Sequence, residues 1–153
     1  MRTKFKIKGV HKFVYTDLLG NIVRKKTYEN IVVAVGRYHM CKILAGLETT
    51  VGINYVALGT GSTSITDADT ILEAEGARKV RGIGQQNEDT FIVSFYFGPT
   101  EGNGSWTRYA TFVDGTATAD TGVMFSHAVI DETKTEGQGL TITSYYTFTD
   151  ETP

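Results

Sequence analysis

Lys4-Phe5-Lys6-Ile7-Lys8-Gly9-Val10-His11-Lys12-Phe13-Val14-Tyr15 is the stretch that decides the fold class. Phe5, Ile7, His11, Phe13 and Tyr15 alternate with Lys4, Lys6, Lys8 and Lys12, and Gly9 falls on the apolar side. A period of two is that of a strand, whose successive side chains point to opposite faces. Residues 4–15 are therefore read as a half-buried strand with one lysine-rich face. Asp17-Leu18-Leu19-Gly20-Asn21 follows with turn chemistry, Gly20 and Asn21 being tolerant of positive φ. Ile22 to Tyr28 reads as the return strand of a hairpin. Charge on such a strand also discourages edge-to-edge aggregation.

Outward from this hairpin the period changes once. Val35, Tyr38, His39, Cys41, Lys42, Ile43 and Leu44 are spaced by threes and fours, which predicts one helix over 34–46 with Gly46 as its stop. Asn30 fits poorly as its N-cap, because a β-branched run follows. Strands are expected at 53–58, 78–83, 90–97, 106–113, 123–130 and 140–148, and 70–75 as a helical turn or an extended segment. Short strands punctuated by glycine indicate a mainly β fold, a jelly-roll-like β-sandwich with an N-terminal β-hairpin and one short α-helix. A basic hairpin or arm over 1–30 and a sandwich over 31–153 form one domain. The polar end, Asp150 to Pro153, is expected to fray.

Composition agrees with this class. The chain has 153 residues, 17 glycines and only two prolines. A chain of this length buries roughly 68–70% of its unfolded surface and needs no metal or disulfide staple. Cys41 is the single cysteine, which excludes an internal disulfide or a multi-cysteine zinc site, and it is expected to be a small buried apolar residue in a protein made in a reducing cytoplasm. No run approaches the ~20 apolar residues of a membrane span, and no apolar run follows the basic start as in a signal peptide.

The net charge of −2 conceals an uneven distribution. Residues 1–28 hold eight basic side chains and one acid, and the rest holds seven basic and sixteen acidic ones. Lys4, Lys6, Lys8, Lys12, Arg24, Lys25 and Lys26 are the candidate docking and assembly residues, set against an acidic surface on another copy or a different partner. The competing reading is two solvated strand faces. Nucleic acid is a weaker partner, since the basic segment is short and the remainder would repel phosphate.

Catalytic patterns are scarce. His11, His39 and His127 each lie in an apolar pattern and are read as packed side chains, and no G-x-S-x-G elbow is present. His39 and Cys41, two apart on a helix, point to different faces. Asp67 and Asp69 lack the glycine and glutamate of a calcium loop, because Leu72 and Arg78 occupy those positions. Leu58-Gly59-Thr60-Gly61-Ser62-Thr63-Ser64 lacks the lysine of a phosphate loop and is read as a strand exit with a steric need for glycine. Glu73 with Glu75, and Asp131 with Glu132, are close carboxylates that nothing places in a cleft. Trp106, Tyr109, Tyr145 and Tyr146 are the aromatic residues a sugar platform could use. No catalytic residue, cofactor or metal is expected.

The hairpin with its Asp17–Asn21 turn is followed by Glu29-Asn30-Ile31-Val32-Val33 and by Gly36-Arg37 opening the helix. Then come Ile53-Asn54-Tyr55-Val56-Ala57-Leu58-Gly59-Thr60-Gly61, Thr70-Ile71-Leu72-Glu73-Ala74-Glu75 and Arg78. This ordered set, over about residues 5–130, resembles a group of small tailed-bacteriophage virion structural proteins described as head-decoration, tail or fibre-like components. The resemblance implies a non-enzymatic virion component made in the host bacterial cytoplasm. Its expected partners are itself, with a trimer as the favoured closed form, and other virion proteins such as the major capsid or tail proteins, and neither nucleic acid nor a membrane. The alternative is a receptor- or carbohydrate-binding module at a fibre or tail tip. The Leu-Gly-Thr-Gly segment would be structural.

Overall fold

A computed structural model describes residues 4–151. Arg2 of the basic segment and Thr152-Pro153 of the polar end lie outside them. The strands are β1 (Lys4–Thr16), β2 (Ile22–Glu29), β3 (Ile31–Val32), β4 (Ile53–Gly59), β5 (Glu75–Asn87), β6 (Thr90–Phe97), β7 (Gly104–Val113), β8 (Val123–Lys134) and β9 (Gly139–Glu151), and the helix is α1 (Ala34–Leu44). The fold is mainly β, with an N-terminal hairpin and one short helix. All nine strands form one antiparallel sheet in the order β2-β1-β9-β6-β5-β4-β7-β8-β3. The hairpin is built into this sheet, since β1 pairs with β9 along its whole length, from Lys4↔Glu151 to Thr16↔Gly139. The same pairing holds Asp150 and Glu151 in a strand, where fraying was expected.

β5 is the corner. Its first residues pair with β4, and from Arg81 onward it pairs with β6. The register slips between Arg81 and Ile83, around Gly82, and such a bulge bends a strand. The sheet thereby divides into two halves that face each other. Phe13 packs edge-on against Tyr109, with ring centroids 5.4 Å apart, and Phe125 against Tyr146 at 5.1 Å. Between them lies the main core, which includes Tyr15, Val56, Leu58, Phe95, Ile130, Leu140 and Ile142. The strand expected at 78–83 runs from Glu75 to Asn87, a length set by its pairing with β4 and then β6 that its glycines and glutamines, lacking an alternating pattern, do not signal.

A polar network crosses this core. Ser144 Oγ lies 2.8 Å from His11 Nδ1 and 2.5 Å from the Tyr109 hydroxyl, and the Tyr146 hydroxyl lies 2.7 Å from both Thr111 and Ser126. Burial lowers the His11 pKa to about 3, because an imidazolium there would lose its hydration. His11 is thus held neutral.

A second, smaller core lies on the outer side of the β4–β7–β8 half. There Leu72, from the loop before β5, and Val33, just before α1, pack on Ala57, Ala110, Phe112 and Met124. Gly59 and Gly61 permit this cover: a Cβ on Gly59 would sit 2.6 Å from the Glu73 carbonyl oxygen, and one on Gly61 would sit 2.6 Å from Glu73 Cβ. Their need is steric, as the sequence suggested. Residues 70–74 are turn and loop, anchored by Leu72.

The helix starts without a side-chain cap, at Val33. Gly36 lies so close to β8 that a Cβ would be 2.8 Å from Phe125 Cα. Its end is a Schellman motif: Gly46, at φ +70°, donates to Ile43 O, and Leu47 N donates to Lys42 O. The helix is two residues shorter than expected, with Gly46 past its end. Cys41 is exposed, not buried. The helix buries only Gly36 and His39 against the sheet, and Cys41 stands on the other side of so narrow a stripe.

Candidate docking surface

The seven basic residues singled out by the sequence do not form one patch. Strand register divides them. On β1 the odd positions Gly9, His11, Phe13 and Tyr15 are buried, so Lys4, Lys6, Lys8 and Lys12 point outward. Lys25 joins them, because its partner across the hairpin is Val14. These five lysines share the outer face of the β1–β9–β6 half with a ladder of hydroxyls. Lys8 aligns with Thr147 and Thr90, whose hydroxyl oxygens are 2.8 Å apart, and Lys12 aligns with Thr143 and Ser94, 3.2 Å apart. The Lys12 ammonium lies 5.0 Å from the centre of the Tyr145 ring, and Lys8 is 3.4 Å from the exposed Glu29 carboxylate. Thr143, Tyr145 and Thr147 sit on a strand with neighbours on both sides and are still only half-buried, which makes the face open.

Arg24 and Lys26 belong to the other side of β2. Their partners are Tyr15 and Phe13, so they lie on the core side and reach across to β8. The Arg24 guanidinium lies 4.0 Å over the Tyr15 ring, donates to Thr133 O at 2.7 Å and is 3.1 Å from the Glu132 carboxylate. Lys26 Nζ donates to Asp131 O at 3.0 Å, and the Tyr28 hydroxyl donates to Glu132 Oε1 at 2.6 Å. Burial is the leading cause that raises the Tyr28 pKa, so the phenol stays a donor. Side chains from one end of the sheet thus satisfy backbone carbonyls at the other end. Glu132 is 1% exposed as a side chain. Its role was missed in the sequence; the usable signal was an acid at a position where the alternation of β8 requires a buried residue.

The other polar residues considered earlier are engaged within the fold. Asp67 receives two hydrogen bonds from Arg37, and the guanidinium draws its pKa down. Asp69 Oδ2 is 2.8 Å from His127 Nδ1. His39 lies between Glu48, at 2.8 Å, and Asp114, at 3.1 Å. Glu75 and Arg78 form a buried pair, with Nε 2.6 Å from Oε1. Glu73 accepts from Thr63 N and ties the glycine loop down. Trp106, Tyr109 and Tyr146 are buried and Tyr145 faces the opposite side of its strand, so the four aromatic residues share no open platform. Among the described residues, no group of three or more His, Cys, Asp or Glu side chains is placed to hold a metal ion, and no helix is long and apolar enough to cross a membrane.

Comparison with protein-family models, with curated proteins and with solved structures returns no match to this chain.

Proposed function

We propose that the chain is a non-enzymatic structural component of a tailed-phage virion that self-associates and docks on the particle, as a capsid decoration (cement) or a neck or tail component. The observation that carries this reading is the open face with Lys4, Lys6, Lys8, Lys12 and Lys25 fixed in register on adjoining strands. A rigid sheet presenting charge at strand spacing suits a repeating acidic lattice, and it steers docking as well as holding it. Arg24 and Lys26 leave the docking set in this reading, since they seal β2 to β8. The hairpin acts as part of the sandwich wall, not as a detached arm.

The jelly-roll-like sandwich belongs to the same reading. Its support is the nesting of strand pairs from the chain ends inward: β1 with β9, β3 with β8, β4 with β7 and β5 with β6. Nested pairing of this kind is what rolling up one long antiparallel ribbon produces. The neighbours β7–β8 and β4–β5 depart from the eight-stranded jelly-roll order. A carbohydrate-binding module draws less support, because the aromatic residues it would use are mostly in the core.

The test is co-sedimentation with phage particles. Charge reversal of Lys4, Lys6 and Lys8 to glutamate should abolish co-sedimentation at low salt, and binding by the unaltered chain should weaken as salt rises. Undiminished binding of the triple variant at both low and moderate salt would end this reading. Saturation at a fixed copy number on empty heads would specify cement, and incorporation only into tails would specify a neck or tail part.

A further inference from the structure

The β1–β2 turn carries an apolar tip that the fold does not use. Leu18 is 74% exposed and Leu19 88% exposed, in a turn where polar residues are the norm. The tip is rigid: Asp17 Oδ1 accepts from both Leu19 N and Asn21 N at 2.9 Å, and Asp17 N donates to Asn21 O at 2.9 Å. Gly20, at φ +84°, completes the turn. The leucines are thus held outward in one arrangement before any partner arrives, which lowers the entropy cost of binding.

The opposite end of the molecule carries a hollow. A mostly apolar cavity of about 520 Å³ opens between α1 and the β5–β6 hairpin, lined by Met40, Ile43, Ile53, Phe91, Val93 and Phe125, with Arg81 also at its wall. Cavities of roughly 300–1,000 Å³ hold drug-sized ligands, and two isobutyl groups are smaller than those. The tip cannot fill its own cavity. Thr16 pairs with Gly139 and Phe91 with Tyr146, so the two features are separated by seven residues of β9, about 24 Å along the strand.

We propose that the occupant of this cavity is the Leu18-Leu19 turn of a second copy, joining copies head to tail. Charge agrees with this pairing. The turn carries Asp17, and exposed Glu136 lies in the adjoining β8–β9 turn, beside the Thr16↔Gly139 pair. Arg81 waits at the cavity; its guanidinium is bound by the Ile53 carbonyl at 3.1 Å. Such a contact is heterologous, so it closes into a ring or grows into a stack. It deepens the self-association proposed above and is independent of the lysine face.

Analytical ultracentrifugation of the full chain and two variants tests it. The unaltered chain should form oligomers that grow with concentration. Leu18→Asp/Leu19→Asp keeps the cavity and loses the tip, and Ile43→Asp keeps the tip and places a repelling charge in the cavity. Each should weaken association by roughly 100-fold. Mixed one to one, the two should form dimers that grow no further, because only one tip and one cavity remain compatible. Circular dichroism and thermal unfolding check that each is folded, and the tip variant, altered only at a solvent-exposed turn, stays informative if Ile43→Asp does not fold. A monomeric unaltered chain, or oligomers that survive the tip variant, would overturn the proposal. The lysine triple variant should self-associate normally, so undiminished particle docking by that variant, with its oligomers intact, sinks the lysine-face reading alone.

Discussion

The outer faces of the two half-sheets have opposite fates. On the β4–β7–β8 half, the loop between β4 and β5 folds back over the strands, and Leu72 and Val33 seal a second core against Ala57, Ala110, Phe112 and Met124. On the β1–β9–β6 half, the outer side of the sheet is bare and carries lysines, threonines and Tyr145. Both faces are made of alternating strands, so alternation alone does not determine which becomes interior. What differs is the outward residue. Alanine and phenylalanine invite a cover, whereas lysine and threonine can remain in water. A face left open in this way is available for contacts outside the chain.

Changes to either face should separate these roles. The largest effect is expected at the cover. Leu72 is 2% exposed, and Leu72→Ala should cost about 2–5 kcal/mol in denaturant unfolding. Hydrogen exchange should show β4 and β7 losing protection before β1 and β9. Equal loss in both halves would mean that the cover and the main core unfold as one unit.

Next comes the seam that joins the ends of the sheet. Glu132→Ala should leave Arg24, over the Tyr15 ring, and Lys26, over the Tyr28 ring, without their shared acid. Their heads are nearly half exposed, which places the cost between the surface and buried limits, at roughly 2–3 kcal/mol. Chemical unfolding measures it, and a change below that of an ordinary surface substitution would show that the seam is held by packing alone.

The network between the halves should make stability depend on pH. His11 is neutral in the fold with a pKa near 3, against 6.5 in the unfolded chain. The unfolded state therefore binds the extra proton first, so the His11 contribution is complete above pH 6.5 and declines as pH falls from 6.5 towards 3. The loss should reach about 2 kcal/mol at pH 5. His11→Phe should flatten the melting temperature between pH 7 and 5, a window above the range in which ordinary carboxylates titrate. An unchanged slope would assign it to another group.

The smallest stability effect is expected on the bare face. Lys4→Glu/Lys6→Glu/Lys8→Glu should change unfolding free energy by less than about 0.5 kcal/mol per site, while particle binding is lost. A large loss of stability would mean that these lysines serve the fold and not a partner.

Much of this was legible along the chain because the relevant periods are local. The alternation of residues 4–15, the turn at Gly20 and the apolar run of 90–97 all depend on near neighbours, whereas the need for small residues at Gly59 and Gly61 is set by Glu73, brought back over them by the loop before β5. β5 was read too short because Gly82, Gly84, Gln85 and Gln86 have no apolar alternation; its length comes from pairing with β4 and β6 in turn. Cys41 was misplaced because helical spacing finds an apolar stripe but does not say how wide a strip the sheet will cover.

The sequence by itself determined that this protein is mainly β, begins with a lysine-faced hairpin and has one short helix, since side-chain direction along a strand or helix follows from backbone geometry. Only the tertiary structure decided which cations are available. Arg24 and Lys26 differ from Lys25 solely in the register of β2 on β1 and in the arrival of Glu132 from the far end of the sheet. That arrival depends on contacts more than a hundred residues apart, and no local pattern encodes them.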